Sequence, residues 1–256
     1  MENTINDIVT WLKEYLNRNN RKCFVVGVSG GVDSAVVSTL CATTGVPTVV
    51  LNIPIDSTSN NTKLSTVHCD WLAENFENVR SNTADLSGTF NSFKDDILKI
   101  APHDSLACAN TKSRLRMITL YYVAASSGGI VVGTGNKIED FGIGFYTKYG
   151  DGGVDISPIA DLTKTQVRQL AVSLGVKTEI IQAPPTDGLW EDSRTDEEQI
   201  GASYEELEWA MDYVDNDRSV ELSSRQKEVL DIFNGYRVQN SHKMNPIPIF
   251  TLEGNK

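Results

Sequence analysis

Cys23-Phe-Val-Val-Gly-Val-Ser-Gly-Gly-Val-Asp-Ser34 is the stretch whose reading decides the fold. It opens as a continuous β-branched apolar run and breaks at paired glycines. A helical pattern follows at residues 33–44. Apolar runs that do not alternate belong to strands covered on both faces. Two further runs of this kind stand at residues 47–53 (PTVVLNI) and 130–134 (IVVGT), with helical spacing at 61–75 and 107–126. Strand, helix, strand at this pitch implies right-handed crossovers and a parallel sheet. The expected fold class is therefore α/β: a Rossmann-like, doubly wound parallel sheet flanked by helices, with residues 1–256 as one domain. Ligands of such sheets bind outside the carboxyl ends of the strands, near a switch point.

Outward from this centre, Ile5, Ile8, Val9, Leu12 and Leu16 recur at helical spacing and make a first amphipathic helix. Helical patterns return at residues 163–174, 203–214 and 221–239. Between them, residues 181–201 hold a Pro pair, Gly188 and dense acid with little periodicity. Loops this long in compact domains are functional or disordered. The segment reads either as a solvated linker or as a lid that orders over bound substrate.

Composition narrows the function. Of 256 residues, 40% are hydrophobic and 22% charged, enough for an ordinary core. Lys and Arg number 23 against 34 Asp and Glu, a formal charge of −11. A grip on nucleic-acid backbone needs a basic surface, so nucleic acid is not the expected partner. No apolar run is long enough to span a membrane. Cys23, Cys41, Cys69 and Cys108 form no CxxC and no framework, and read as small buried hydrophobes of a reducing compartment. The N-terminus lacks a secretory pattern, so the expected location is cytoplasmic.

The loop Gly27-Val28-Ser29-Gly30-Gly31-Val32-Asp33-Ser34 carries the first chemical signal. Glycines at positions 30 and 31 remove Cβ atoms where the backbone turns and approaches a ligand. Ser29 and Ser34 add hydroxyls, and the N–H groups of a helix start favour an anion. This is neither a Walker A loop nor GxGxxG. Asp33 would repel a phosphate unless a cation lay between them, which points to Mg²⁺ bridging Asp33 and a polyphosphate. The plain alternative is a Gly-rich strand–helix turn with an Asp cap. The string SGGVDS resembles that of the PP-loop ATP pyrophosphatases, which cleave ATP between the α and β phosphates.

A second constellation follows the third strand: Gly133-Thr-Gly-Asn-Lys-Ile-Glu139, Gly144-Phe-Tyr-Thr-Lys148, Gly150-Asp-Gly-Gly-Val-Asp155 and Asp161-Leu-Thr-Lys164. Thr134, ending a strand, offers a donor to phosphate. Glu139 adds a carboxylate to Asp33 for one or two Mg²⁺ ions, and Lys148 and Lys164 are cations at the ligand edge. A helix terminus contributes about 0.3–1 kcal/mol toward an anion, so specific cations and metal must do most of the holding in a chain this acidic.

With Ala109-Asn-Thr-Lys-Ser-Arg-Leu-Arg-Met117 upstream and Pro185-Thr186 and His242-Lys243 downstream, the ordered set resembles the ammonia-dependent NAD synthetases, C–N bond-forming ligases, from about residue 11 to 248. The resemblance implies that residues 27–34, Thr134, Lys164 and Thr186 bind ATP. It implies that Asp33 and Glu139 hold Mg²⁺, and that Arg114, Lys148, Asp155, His242 and Lys243 bind deamido-NAD. A homodimer is also implied, with Tyr121 and Tyr122 on helices that could supply its surface. Where many members carry Thr-Asp-His before the metal-binding Glu, this chain has Thr134-Gly-Asn-Lys-Ile, and the lid segment 188–199 is longer and more acidic. Arg114 and Arg116 share a helix whose Leu115, Ile118 and Tyr122 read as buried, so the plain alternative for one arginine is a solvated head with its stem packed on the core. His242 and the turn residues Asp151 and Asp155 also have ordinary surface readings, and His68 and His103 read as structural.

The implied reaction is adenylation of the deamido-NAD carboxylate, then attack by ammonia to give NAD, AMP and pyrophosphate. Asp151 is the candidate acceptor of the proton that ammonium must lose. The synthetase pattern fills the chain and residue 2 is Glu, so ammonia is expected free or from a separate glutaminase. The competing readings are another PP-loop enzyme, such as a GMP-synthetase-like amidase or a tRNA-thiolating enzyme, and a non-catalytic nucleotide-binding module.

Overall fold

The computed structural model describes residues 1–55, 60–186, 194–216 and 221–251. In chain order the elements are α1 (Glu2–Arg18), β1 (Phe24–Gly27), α2 (Val32–Thr43), β2 (Thr48–Asn52), α3 (Asn60–Asn75), β3 (Val79–Thr83), α4 (Ser87–Ile97), α5 (Ser105–Ser127) and β4 (Ile130–Val132). A π-helical turn (Lys137–Ile143) follows, then α6 (Lys164–Ser173), α7 (Thr178–Ile181), α8 (Asp196–Ile200), α9 (Tyr204–Asp215) and α10 (Ser224–Met244).

The strands form one parallel sheet in the order β3-β2-β1-β4. Val26 sits in register with Val50 on one side and Val132 on the other. The chain winds outward from β1 through β2 to β3, then returns to add β4 on the opposite edge. The switch point therefore lies between the carboxyl ends of β1 and β4, where the two motif-bearing loops begin.

The expected class holds: parallel strands with helices on both faces. Helices α1, α2 and α6 pack against one face around Leu12, Val36, Leu40 and Leu170, all fully buried. On the other face α5 lies over Val25 and Val131. The strand β3 was not expected. Its sequence, VRSNT, buries only Val79, because an edge strand with polar outer positions leaves no apolar run to read. Strand β4 stops at Val132, so Thr134 stands in the loop beyond it rather than ending the strand. A separate apolar cluster of the π-turn, α9 and α10 builds on Ile138, Ile143, Tyr204, Leu207 and Phe233.

Two expectations about α5 change. Ile118 and Tyr122 are exposed by 58% and 76%, not buried. Three of the four cysteines are buried, Cys108 is half-buried, and all four are free thiols. Among the described residues no helix is long and apolar enough to cross a membrane.

Candidate functional site

The loop after β1 is shaped by its own backbone and hydroxyls. Gly30 has φ +92°, a conformation that side chains with a Cβ rarely adopt. Gly31 has an ordinary φ of −84° and serves as the N-cap of α2 with no side-chain cap bond. The Ser29 N–H donates to Ser34 Oγ (3.1 Å), and Ser34 Oγ donates to the Gly31 carbonyl (2.9 Å). The Gly31 N–H donates to Ser29 Oγ (3.2 Å). No charged side chain takes part in these bonds. Asp33 is not the cap, since it sits inside the first turn of α2.

Behind the loop the support is also neutral. Ser38 Oγ donates to the Ser34 carbonyl at 2.7 Å and lies 3.0 Å from His68 Nε2. His68 is fully buried and stacks on Trp71 with ring centroids 5.5 Å apart. Burial holds its pKa down at about 4, so the imidazole is neutral at physiological pH. That matches the structural reading of this residue.

Beside the loop stands a cluster of ionised groups brought in from three elements, with a neutral partner from a fourth. Lys164, the first residue of α6, is 3% exposed at its side chain. Its Nζ donates to Asp33 Oδ2 (2.5 Å) and to Glu139 Oε1 (2.9 Å). Asn136, fully buried, accepts from the Ile138 and Glu139 N–H groups and so starts the π-turn. Its amide also donates to Asp33 Oδ1 (3.3 Å). Tyr204, the first residue of α9, donates from its hydroxyl to Glu139 Oε1 (2.5 Å), and its ring lies 4.6 Å from Lys164 Nζ.

The electrostatics follow from this crowding. Burial alone would depress Lys164, but Asp33 and Glu139 outweigh it and hold the ammonium above its ordinary value. Burial pushes Glu139 up, but the Lys164 charge, the Tyr204 hydroxyl and the Asn136 amide bring it below the usual carboxylate range. Burial raises the Asp33 carboxyl. Asp140 is raised well above the usual range by burial and by the charges of Glu139, Asp151 and Asp33. Its carboxylate packs against Gly135 so closely that a Cβ there would collide with it.

A cavity of about 570 Å³ joins the two halves. Of the residues singled out in the sequence, all of 27–34 but Gly30 line it, with Thr134, Glu139, Asp151, Lys164, Thr186 and Lys243. Asp151 is tied down through Oδ1, which accepts from Ser113 Oγ (2.7 Å) and the Thr147 N–H (3.1 Å). Arg114, Lys148, Asp155 and His242 are not among the lining residues. Three of them form a chain: Arg114 Nε donates to the Lys148 carbonyl (3.3 Å), and Lys148 Nζ to the His242 carbonyl (2.6 Å). Asp155 is not part of this chain of bonds and accepts from the Val131 N–H (2.8 Å) and the Tyr121 hydroxyl (3.1 Å). Arg114 is the exposed arginine, whereas Arg116 lines the cavity and donates from Nε to the Ile53 carbonyl (3.0 Å).

The expected lid divides. Residues 187–193 lie outside the described residues; of the rest, Ile181 ends α7, residues 196–200 form α8, and residues 182–186 and 194–195 are non-helical. The two flanks meet, since Thr186 Oγ1 donates to the Arg194 carbonyl (3.1 Å) and the Asp196 N–H to the Pro185 carbonyl (3.0 Å). Pro185, Thr186 and Asp196 line the cavity.

Asn136, Asp140 and Tyr204 were missed by the sequence reading, and of the two arginines weighed there it is Arg116 that lines the cavity. Asn136 and Asp140 sit inside the quoted motif and had a positional signal. Tyr204 had none, because a helix-start tyrosine does not announce a contact 65 residues upstream.

Comparison with known proteins identifies relatives over most of the chain. The NAD synthase family profile matches residues 4–246. The NH3-dependent NAD synthetase of Mesoplasma florum is 39% identical over 216 residues, covering 83% of this chain and 85% of that one. The NH3-dependent NAD synthetase of Methanosarcina mazei is 34% identical, covering 97% and 98%. Among solved structures, an NMN synthetase from Francisella tularensis superposes with a TM-score of 0.86 at 28% identity, covering 98% of each chain.

Proposed function

Because the chain belongs to the NAD synthase family, we propose that it amidates deamido-NAD with ammonia at the expense of ATP, giving NAD, AMP and pyrophosphate. The observation that carries this reading is Lys164, held between Asp33 after β1 and Glu139 after β4 at the sheet's switch point.

The carboxylate of the substrate attacks the α-phosphorus of ATP, and pyrophosphate leaves. The N–H groups at the start of α2, with Ser29 and Ser34, receive the pyrophosphate oxygens. Lys164 supplies positive charge where the bridging oxygen becomes an anion. Ammonia then attacks the acyl-adenylate carbonyl and AMP departs. Asp151, on the cavity wall, takes the proton from ammonium. Thr134 and Thr186 hold the nucleotide, and Lys243 meets the second substrate, with Arg114, Lys148, Asp155 and His242 completing its site outside the cavity lining.

The donor set fits Mg²⁺. Three carboxylates, of Asp33, Glu139 and Asp140, act on one another across the site, with one ammonium among them. Among the described residues no three metal-ligating side chains complete a site on their own. Mg²⁺ commonly uses one or two carboxylates plus substrate phosphates, which Asp33 and Glu139 with ATP would provide. The ion would supply charge neutralisation at the departing phosphates.

We further propose a homodimer through the exposed α5 face that carries Ile118 and Tyr122, one turn apart. Sedimentation at working concentration checks it, and a monomer throughout would exclude it.

The deciding assay supplies ATP, Mg²⁺, deamido-NAD and ammonium. NAD, AMP and pyrophosphate should appear, and NAD should not form without ammonium. Release of ADP would overturn the mechanism. The likeness to an NMN synthetase over 98% of each chain supports a second reading, amidation of nicotinate mononucleotide at the same site. The ratio of kcat/KM for the mononucleotide and the dinucleotide decides between them.

A further inference from the structure

We propose that Tyr204 is a positioning residue for Glu139: its hydroxyl and the Lys164 ammonium together hold Oε1, and this fixes the carboxylate in the orientation in which it takes a divalent cation. The proposal rests on the metal reading above and extends it to a residue outside the sequence motifs.

The contacts are specific. The bonds from Lys164 Nζ (2.9 Å) and from the Tyr204 hydroxyl (2.5 Å) both end on Oε1, while the Asn136 amide acts on the same carboxylate from the N-cap of the π-turn. Tyr204 is fully buried in a cluster otherwise built from Ile138, Ile143, Leu207 and Phe233. Packing there asks for a ring and not for a hydroxyl. A buried hydroxyl costs free energy unless it is hydrogen-bonded, and a bond to a carboxylate is among the stronger kinds. The backbone at this point is pinned as well. Ser203 and Glu206 close a capping box around it, and the Tyr204 N–H donates to Glu197 Oε1 (2.9 Å).

Charge explains why tyrosine suits this place. A second ammonium beside Glu139 would orient the carboxylate but would also cancel its charge and repel a cation. A phenol orients it as a neutral donor. A phenol is neutral at physiological pH without help from its surroundings. Its ring face also backs Lys164 Nζ at 4.6 Å, so one side chain steadies both ends of the ion pair. Asp196 Oδ2 lies 3.3 Å from the same hydroxyl and begins α8, which ties this support to the segment flanking residues 187–193.

The test is Tyr204→Phe, which keeps the ring and removes the hydroxyl. Mn²⁺ binding in the presence of a non-cleavable α,β-methylene ATP analogue is read by electron paramagnetic resonance of the free ion. Loss of an outer-shell partner weakens metal affinity about 10–100-fold, and a weakening in that range is expected here. The Mg²⁺ concentration for half-maximal velocity should rise by the same factor, with the KM for ammonium unchanged. In a Glu139→Gln background, Y204F should weaken Mn²⁺ less than twofold further. Leu207→Ala controls for packing: it loosens the same cluster, so it should lower Tm and leave Mn²⁺ affinity in place. Wild-type Mn²⁺ affinity in Y204F, full additivity with E139Q, or an equal loss in L207A would each overturn the proposal. The binding arm needs no turnover, so failure to make NAD would refute the functional reading and leave this one to be decided by Mn²⁺.

Discussion

The two halves of the site solve the same problem with different materials. Apart from Asp33, the loop at residues 27–34 presents backbone N–H groups, glycine and hydroxyls, with a neutral imidazole behind it. The cluster beside it is made of ionised side chains, one ammonium between two carboxylates, drawn from α2, the π-turn and α6 and steadied by Tyr204 of α9. The first half is local in sequence and rigid by conformation. The second is assembled over long separations and rigid by mutual charge. Damage should therefore look different on each side: backbone strain on one, unbalanced buried charge on the other.

The largest effect is expected at Lys164. Replacing it by Ala leaves Asp33 and Glu139 facing each other, and removing one partner of a buried ion pair costs about 3–5 kcal/mol. Turnover should fall at least about 10³-fold and Tm should drop together with it, read by product formation and calorimetry. Asp33→Asn separates the two losses. It should cut turnover by about 10²–10³-fold while Tm changes little. Near-normal activity in that variant would remove the metal role and erase the contrast drawn above.

On the loop side, acid should act through His68. Its folded pKa is about 4 against an ordinary 6.5, so between those values the unfolded chain binds the proton and the folded chain does not. Stability from this group is whole above pH 6.5 and falls as pH drops toward 4, by about 3 kcal/mol in total. Urea midpoints across that range should show the slope, and His68→Gln should flatten it. An unchanged slope would place the acid sensitivity elsewhere.

Gly30→Ala tests the loop's backbone directly. At φ +92° a Cβ costs about 1–2 kcal/mol. The expected result is a raised KM for ATP with Mn²⁺ affinity changed less than in a Glu139 variant. Ser203→Ala is the mildest. It removes the cap of α9 below Tyr204, costing about 1 kcal/mol and about 2–4 °C in Tm. Activity should remain near wild type.

These contrasts also explain what could be read before the structure. The sheet centre and the loop were legible because β-branched runs and paired glycines are local signals. Edge strand β3 was hidden by its polar outer positions, and the π-turn by having no repeat of its own. Within the site, Asp33, Glu139 and Lys164 stood out by motif, yet their shared ion pair did not. Tyr204 read only as a helix start. Arg114 and Arg116 are alike in sequence, and only the register of α5 against the sheet sends Arg116 to the cavity and Arg114 outward.

Asp33 and its ammonium partner are 131 residues apart along the chain. During synthesis the loop at residues 27–34 leaves the ribosome early, and Lys164, then Tyr204, follow much later. A nascent chain that has folded its first strands thus carries Asp33 without the ammonium that balances it, and the cluster is complete only once Lys164 and then Tyr204 have been made.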